Sequence, residues 1–253
     1  MTEKIETIGI DVGSTSTKLV GLDSTGQMVW HILEKTEPRI EVQVKRLLEE
    51  AKLKDIPVIA TGYGRNLVTQ ATRAITEITC HASGIYQEFK HGGTLLDIGG
   101  QDSKVIRISP NGKVLDFVMN DKCAAGTGRF LENSARQLDL SLAEMGKVGM
   151  ATSIEAPISS TCTVFAESEI ISLLAEGVAV PEILRGLHRS LVKRVTAMIH
   201  SVGFEAPLML SGGVVQNPLV VSMIAEELGE EVILPSHPQL MGALGAALIA
   251  LIK

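Results

Sequence analysis

The class this sequence predicts is a duplicated α/β fold, two halves that each open on a β-meander around a glycine turn. Three observations point to it. Residues 5–12 (IETIGIDV) and 17–23 (TKLVGLD) have the apolar, β-branched character of strands and flank the turn Gly13-Ser14-Thr15-Ser16. At residue 94 the pattern returns, because TLLDIGGQDSKVIRIS (94–109) is again strand, glycine turn, strand. Laying Asp11 on Asp97 also lays Gly13 on Gly99, Thr17 on Ser103 and Lys18 on Lys104, so both segments share the frame Asp-x-Gly, three variable residues, Ser/Thr, Lys. Matched internal spacing at two places between strands implies duplication.

In the first half, 27–34 (QMVWHILE) adds a third strand, and Ile40, Val44, Leu47, Leu48 and Ala51 give 39–54 the spacing of an amphipathic helix. A buried strand at 57–60, a turn at 61–65 and a helix over 77–90 containing Cys80 and His81 follow. In the second half, 113–119 (KVLDFVM) is the third strand of the meander. The stretch 120–132 (NDKCAAGTGRFLE) then sets Cys123 and the turn Gly126-Thr127-Gly128 before a helix that the spacing of Phe130, Leu131 and Leu138 starts near Thr127 and ends about Leu138. Residues 141–160 read as looser, with Gly146, Gly149 and Pro157 interrupting any period. Cys162 leads a helix over 163–176 that Gly177 ends, and Pro181 starts a long helix through about Ser201, with Ile183, Leu184, Leu187, Leu191 and Val195 on one face. His188 and Arg189 on that helix are expected to face solvent or the other half. A buried strand at 207–210 meets Ser211-Gly212-Gly213; a helix over 215–228, a strand at 231–234, a turn at 235–238 and a final helix over 239–252 complete the chain. The expected halves are 1–92, with the C-terminal helix 239–253 packing back on it, and 93–238, which carries Cys123 and Cys162.

Composition narrows the function classes. With 253 residues, 45% hydrophobic and 21% charged, the chain can bury a sizeable core and is not disordered. A net charge of −6 without a basic cluster argues against nucleic acid as a partner. The N-terminal residues lack a signal-peptide pattern, and the longest apolar run, Leu240 to Ile252, is too short to span a bilayer. The expectation is a cytoplasmic protein with no membrane partner. Three cysteines, Cys80, Cys123 and Cys162, do not form a disulfide framework, which leaves packing, catalysis or metal as their uses.

No GxxxxGK[ST] sequence occurs, so phosphate binding would have to use the glycine hairpins. There the backbone N–H groups, with Ser14, Thr15 and Ser16, can wrap phosphate oxygens while Lys18 adds positive charge. Asp11 and Asp97, at strand ends, could hold a magnesium ion through its waters or orient an attacking water. Cys123, just beyond the positive end of its helix, is a place where free N–H groups and the dipole favour a thiolate or an anionic ligand.

These residues also carry a family resemblance. IGIDVGSTSTK (8–18), LLDIGGQDSK (95–104) and LSGGVVQNP (210–218) resemble the first phosphate, second phosphate and adenosine motifs of the actin, hsp70 and sugar-kinase superfold. More narrowly, ATGYGRN (60–66), TEITCHASG (76–84), NDKCAAGTGRFLE (120–132), SSTCTVFAESE (159–169) and GALGAALIA (242–250) resemble the ATP-hydrolysing activators, often called component A, of 2-hydroxyacyl-CoA dehydratases, in the BadF/BadG/BcrA/BcrD ATPase family. The similarity covers nearly the whole chain. It implies a duplicated actin-like (ribonuclease H-like) ATPase fold, with a nucleotide cleft between the halves.

The same resemblance implies the site. ATP or ADP with Mg2+ would be held by Gly13, Ser14, Thr15, Ser16, Lys18, Gly99, Gly100, Gln101, Gly126, Thr127, Gly128, Gly212 and Gly213, with Gln216 and Gln239 where the adenosine contacts fall. Asp11, Asp97, Gln101 and Asp102 are the candidate catalytic residues. In the family, the cysteines matching Cys123 and Cys162 bind a [4Fe-4S] cluster. Such a cluster normally takes four thiolates, so a C2 homodimer sharing one cluster completes the set. Cys80 is expected to pack or to support the site from behind without binding the cluster, and Lys122, Arg129, Glu167 and Glu169 as solvated charges. The implied function is an ATP-dependent one-electron reductase that takes its electron from ferredoxin or flavodoxin. It would deliver that electron to an iron–sulfur partner enzyme, first of all a 2-hydroxyacyl-CoA dehydratase. ATP would rotate the halves, and Gly126-Thr127-Gly128 would report nucleotide state to the cluster. An aromatic-CoA reductase or another double-cubane cluster protein as partner, a small-metabolite kinase and an actin-like filament protein are the alternatives.

Overall fold

In the computed structural model, the described residues are 4–51, 56–159 and 162–252. The end of the helix expected over 39–54, the last residue of the loose segment expected over 141–160, and Ser160 and Thr161 of the second cysteine motif lie outside them. The first elements are β1 (Thr7–Val12), β2 (Ser16–Leu22), β3 (Met28–Lys35), α1 (Ile40–Glu50), β4 (Val58–Thr61), β5 (Arg73–Ala74) and α2 (Glu77–Phe89). The chain continues with β6 (Gly93–Ile98), β7 (Ser103–Ile108), β8 (Val114–Asn120), α3 (Gly128–Gln137), α4 (Leu142–Gly149), α5 (Thr163–Ala175) and α6 (Val180–Val202). It closes with β9 (Leu208–Ser211), α7 (Pro218–Leu228), β10 (Val232–Ile233) and α8 (Met241–Leu251).

These elements form two compact units: Met1–Gly92 with Ile108–Leu115 and Pro235–Lys253, and Gly93–Arg107 with Asp116–Leu234. Each unit is organised by a five-stranded sheet, ordered β3-β2-β1-β4-β5 in one and β8-β7-β6-β9-β10 in the other. The two orders are the same once strands are matched by their place in each meander. In the first sheet β1 pairs antiparallel with β2 and parallel with β4; in the second β6 pairs parallel with β9. A parallel neighbour needs a crossover, and α1 provides it between β3 and β4.

In the first unit, Ile8, Ile10 and Val12 of β1 pack with Val44, Leu47 and Leu48 of α1. In the second, Leu96 and Ile98 of β6 join Phe130 and Leu131 of α3, Ile170 of α5, Leu187 and Leu191 of α6 and Leu219 of α7. The apolar periods that predicted α1, α3 and α6 are these buried faces.

One expectation is overturned. Part of the segment read as loose is the helix α4, begun by a complete capping box between Ser141 and Glu144. Gly146 and Gly149 do not break it. A Cβ on Gly146 would lie 2.4 Å from Asn217 Oδ1, and one on Gly149 2.6 Å from Leu219 Cδ2, so both glycines let α4 approach the start of α7.

Candidate functional site

The β1–β2 register places Asp11 opposite Lys18. Their side chains therefore meet, with Lys18 Nζ 3.2 Å from Asp11 Oδ2. Gly13 N–H donates to Ser16 C=O at 3.0 Å, which closes the turn and leaves Ser14, Thr15 and Ser16 partly exposed at its tip. The turn is braced from beneath. Thr36 Oγ1 donates to Gly13 C=O at 2.7 Å and Thr36 N–H to Thr15 C=O at 3.1 Å. Thr17 Oγ1 lies 3.0 Å from Thr36 Oγ1 and 3.3 Å from Gln43 Oε1. Gln43, fully buried in α1, donates through Nε2 to Lys35 C=O at 2.8 Å and accepts from Glu37 N–H at 3.0 Å. Sequence reasoning missed this amide; the signal was a polar residue beside Val44 on the apolar face of α1.

Two further residues surround Asp11. Gly62 follows β4 with φ +88°, and a Cβ there would stand 2.5 Å from Asp11 Oδ1. The point that a Cβ on Gly242 would occupy is 2.9 Å from His81 Nε2 and 3.0 Å from Asp11 Oδ2, so Gly242 brings α8 up to the carboxylate and a buried imidazole. Cys80 beside it is buried in packing, and burial pushes its thiol up to about 11. Gln239 lies in the segment entering α8, half-buried.

The second hairpin repeats the first. Gly99 N–H donates to Asp102 C=O at 2.9 Å. Lys104 Nζ lies 3.5 Å from Asp97 Oδ2 and 2.6 Å from Asp102 Oδ2, and Asp97 Oδ1 accepts from Ser211 Oγ at 2.7 Å. Gln101 is exposed at the tip. Gly212 stands in this unit where Gly62 stands in the other, with φ +94° and a would-be Cβ 2.3 Å from Ile98 C=O. Gly213 opens a single 3-10 turn over Val214–Gln216 that leaves Gln216 exposed, and Asn217 caps α7 through Oδ1 and Leu219 N–H at 3.0 Å.

The cysteine loops lie in the same unit. Cys123 and Cys162 are exposed. Cys162 is the N-cap of α5, while Cys123 precedes Thr127, the N-cap of α3. The helices pack together, and Gln137 Nε2 donates to Glu167 Oε1 at 2.5 Å. Glu169 accepts from Ser159 N–H at 2.9 Å and Ser159 Oγ at 2.6 Å, so it clamps the chain ahead of Cys162 and is not a solvated charge. Arg129 pairs with Glu132 at 3.1 Å.

One expectation about Cys123 fails. The first N–H groups of α3 do not face it: Gly128 N–H donates to Gly99 C=O at 2.9 Å and Arg129 N–H to Gly100 C=O at 2.8 Å. Gly128 makes this approach possible, since a Cβ there would sit 3.2 Å from Gly100 Cα. The turn Gly126-Thr127-Gly128 is thus joined to the second hairpin through backbone bonds.

His188 and Arg189 do not face solvent. The imidazole is fully buried, with Nδ1 2.7 Å from Leu184 C=O and Nε2 2.9 Å from Asn217 Nδ2. Burial pushes it down to about 4, with Arg185 adding to the effect. Arg189 makes a two-pronged pair with Glu155 at 2.9 and 3.0 Å and reaches Glu226 and Glu227. For His188 the signal was its place four residues after Leu184 and three before Leu191 on the apolar face of α6; for Arg189 the carboxylate partners are too distant in the chain to leave one. Among the described residues no helix is long and apolar enough to cross a membrane.

Of the predicted residues, the first unit brings together Asp11, Lys18 and the 13–16 turn. The second brings together Asp97, Lys104, Asp102, Gly99, Gly100 and the 126–128 turn.

The profile of the BadF/BadG/BcrA/BcrD ATPase family matches residues 8–250. The activator of lactoyl-CoA dehydratase from Anaerotignum propionicum is 44% identical over 250 residues, spanning 96% of this chain and 96% of that protein. Among solved structures, the activator of the 2-hydroxyisocaproyl-CoA dehydratase from Clostridium difficile with bound ADPNP is similar at TM-score 0.90 and 41% identity, covering 97% of this chain and 94% of that one. Component A of the (R)-2-hydroxyglutaryl-CoA dehydratase from Acidaminococcus fermentans is similar at TM-score 0.92 and 41% identity, covering 99% of both chains. A ROK-family glucokinase from Streptomyces griseus, at 15% identity, TM-score 0.64 and with 98% of this chain and 99% of that one covered, shares the fold alone. The fold is that of the actin-like ATPases and sugar kinases. Like-built glycine hairpins in both units agree with a match that runs nearly end to end, and the chain belongs to the BadF/BadG/BcrA/BcrD ATPase family.

Proposed function

We propose that this chain is a homodimeric, ATP-dependent one-electron donor that activates an iron–sulfur partner enzyme, a 2-hydroxyacyl-CoA dehydratase. Relatives more than 40% identical over nearly the whole chain carry the names of such activators, which supports the partner class. The observation that carries the electron-transfer part is the pair of exposed cysteines ahead of two neighbouring helices in one unit.

The donor set fits a [4Fe-4S] cluster. Two accessible thiols per chain are half of the usual four, and a second copy supplies the rest. Val164 and Phe165, the residues after the Cys162 helix begins, are 68% and 65% exposed, apolar surface suited to burial against that copy. When bound, the cluster would supply a one-electron carrier, reduced by ferredoxin or flavodoxin.

The remaining roles fall to the hairpins. Ser14, Thr15, Ser16, Gly99 and Gly100 would line the phosphates of ATP, Lys18 would offset their charge, and Gly212, Gly213, Gln216 and Gln239 would hold the adenosine. Asp11 and Asp97 would hold Mg2+ through its waters or orient the attacking water, with Gln101 and Asp102 beside them. ATP can drive the transfer only as far as its states bind two conformations differently.

Anaerobic purification with iron, sulfide and mass analysis tests the reading. The expected result is about four irons and four sulfides per two chains, lost in Cys123→Ser and Cys162→Ser. A wild-type protein that stays colourless and iron-free after reconstitution would overturn it.

A further inference from the structure

The second hairpin and the loop carrying Cys123 are joined at three points. Two are the backbone bonds from Gly128 N–H to Gly99 C=O and from Arg129 N–H to Gly100 C=O, at 2.9 and 2.8 Å. The third is a side chain: the fully buried Ser103 hydroxyl donates to Gly126 C=O. Within the loop, Asn120 Nδ2 holds Cys123 C=O at 2.9 Å and Ala125 C=O at 2.7 Å, and Thr127 Oγ1 donates to Ala124 C=O at 2.7 Å. Residues 120–127 are therefore tied to one another and, through Gly126, to the hairpin. The equivalent hydroxyl of the first hairpin, Thr17, points elsewhere, to the Thr36 and Gln43 brace. One position in the duplicated frame has become an internal brace in one unit and a bridge to a cysteine loop in the other.

Resting on the reading that this hairpin binds phosphate, we propose that Ser103 is a positioning residue that couples the nucleotide state of the hairpin to the Cys123 thiol. Phosphate oxygens that draw on the Gly99 and Gly100 backbone would move the carbonyls that hold Gly128 and Arg129. The Ser103 bond keeps Gly126, three residues from Cys123, in step with that motion. Removing the hydroxyl leaves Gly126 C=O without its donor and the loop free to relax on its own.

The test uses the full chain, prepared anaerobically and stripped of iron, with nucleotide binding measured on the same samples. Alkylation of Cys123 by iodoacetamide is timed by peptide mass spectrometry without nucleotide, with ADP and with a non-hydrolysable ATP analogue; Cys162 is the in-chain reference. The Cys123 rate in the wild type is expected to change about fivefold between nucleotide states, the scale of one hydrogen bond gained or lost. In Ser103→Ala the ratio should fall toward one while nucleotide still binds, and Ser103→Thr should restore it. A folded, nucleotide-binding Ser103→Ala that keeps the wild-type ratio overturns the proposal. If that variant does not fold, Asn120→Ala decides: a lowered ratio supports the coupling and an unchanged ratio overturns it. A wild type that binds nucleotide with an unresponsive Cys123 sinks this inference alone, whereas one that binds no nucleotide sinks the reading of the hairpins with it.

Discussion

The two glycine hairpins share a frame but differ in what holds them. In the first, the Asp11–Lys18 pair stands at 3.2 Å and the turn rests on Thr36 and the buried Gln43 amide. In the second, Lys104 lies between Asp97 and Asp102, Asp97 also accepts from Ser211, and the turn's carbonyls are taken up by α3. The first hairpin is supported by the segment after β3 and by α1, and the second is tied to β9, which runs into Gly212-Gly213, and to α3, which follows Cys123. Duplication supplied the same backbone device twice; the residues beneath it gave each copy its own attachment.

The largest expected effect tests whether the two aspartates have diverged likewise. Asp11→Asn should lower ATP turnover by about 10²–10³-fold with little loss of stability, since its carboxylate is the less committed of the two. Asp97→Asn should instead cost about 2–4 kcal/mol in urea unfolding, because the buried Lys104 ammonium loses one of its two carboxylate partners to a neutral amide. Equal effects in both assays would erase the distinction. The glycine pair probes what the hairpins have in common. Gly62→Ala and Gly212→Ala each force a Cβ to within 2.4 Å of backbone oxygen or closer at positive φ, and each should destabilise by about 2–4 kcal/mol. A tolerant Gly62 would show that the β4 and β9 ends are not equivalent.

Gln43→Leu should act on the first hairpin alone. Leaving Lys35 C=O, Glu37 N–H and the Thr17 hydroxyl without the amide costs about 2–3 kcal/mol. It should also raise the KM for ATP, with no change in the nucleotide response of Cys123. A changed Cys123 response would break the separation of brace and bridge. The smallest effect belongs to the second unit. His188 is held near 4 by burial, below the roughly 6.5 of an unfolded chain. Between those values the unfolded chain binds a proton that the folded one does not, so stability falls as pH drops through that window. In urea titrations from pH 7 to pH 4, His188→Gln should flatten that decline.

Much of this was legible in the residues. The strands β1, β2, β6 and β7 followed from apolar runs on either side of glycine turns, and α3 and α5 started within a residue of their expected positions. Local signals sufficed there because strand period, turn chemistry and helix caps are written within a few residues of where they act. Others misled for the same reason. Gly146 and Gly149 read as breakers although each makes room for the start of α7, and the Ser141–Glu144 capping box that announces α4 went unread. His188 and Arg189 were expected to face solvent or the other half because the partners that hold them, Asn217 and Glu155, lie 29 and 34 residues away along the chain.

By itself, then, the sequence determined the duplicated frame, the family and the cysteines worth attention, since each is carried by residue types at short spacing. Only the tertiary structure decided what stands behind them: that Gln43 supports one hairpin, that α3 gives its first N–H groups to Gly99 and Gly100 rather than to Cys123, and that Ser103 reaches Gly126. A hydrogen bond across 23 residues leaves no period in the chain. It exists because folding brings one buried donor to one carbonyl that has to be satisfied.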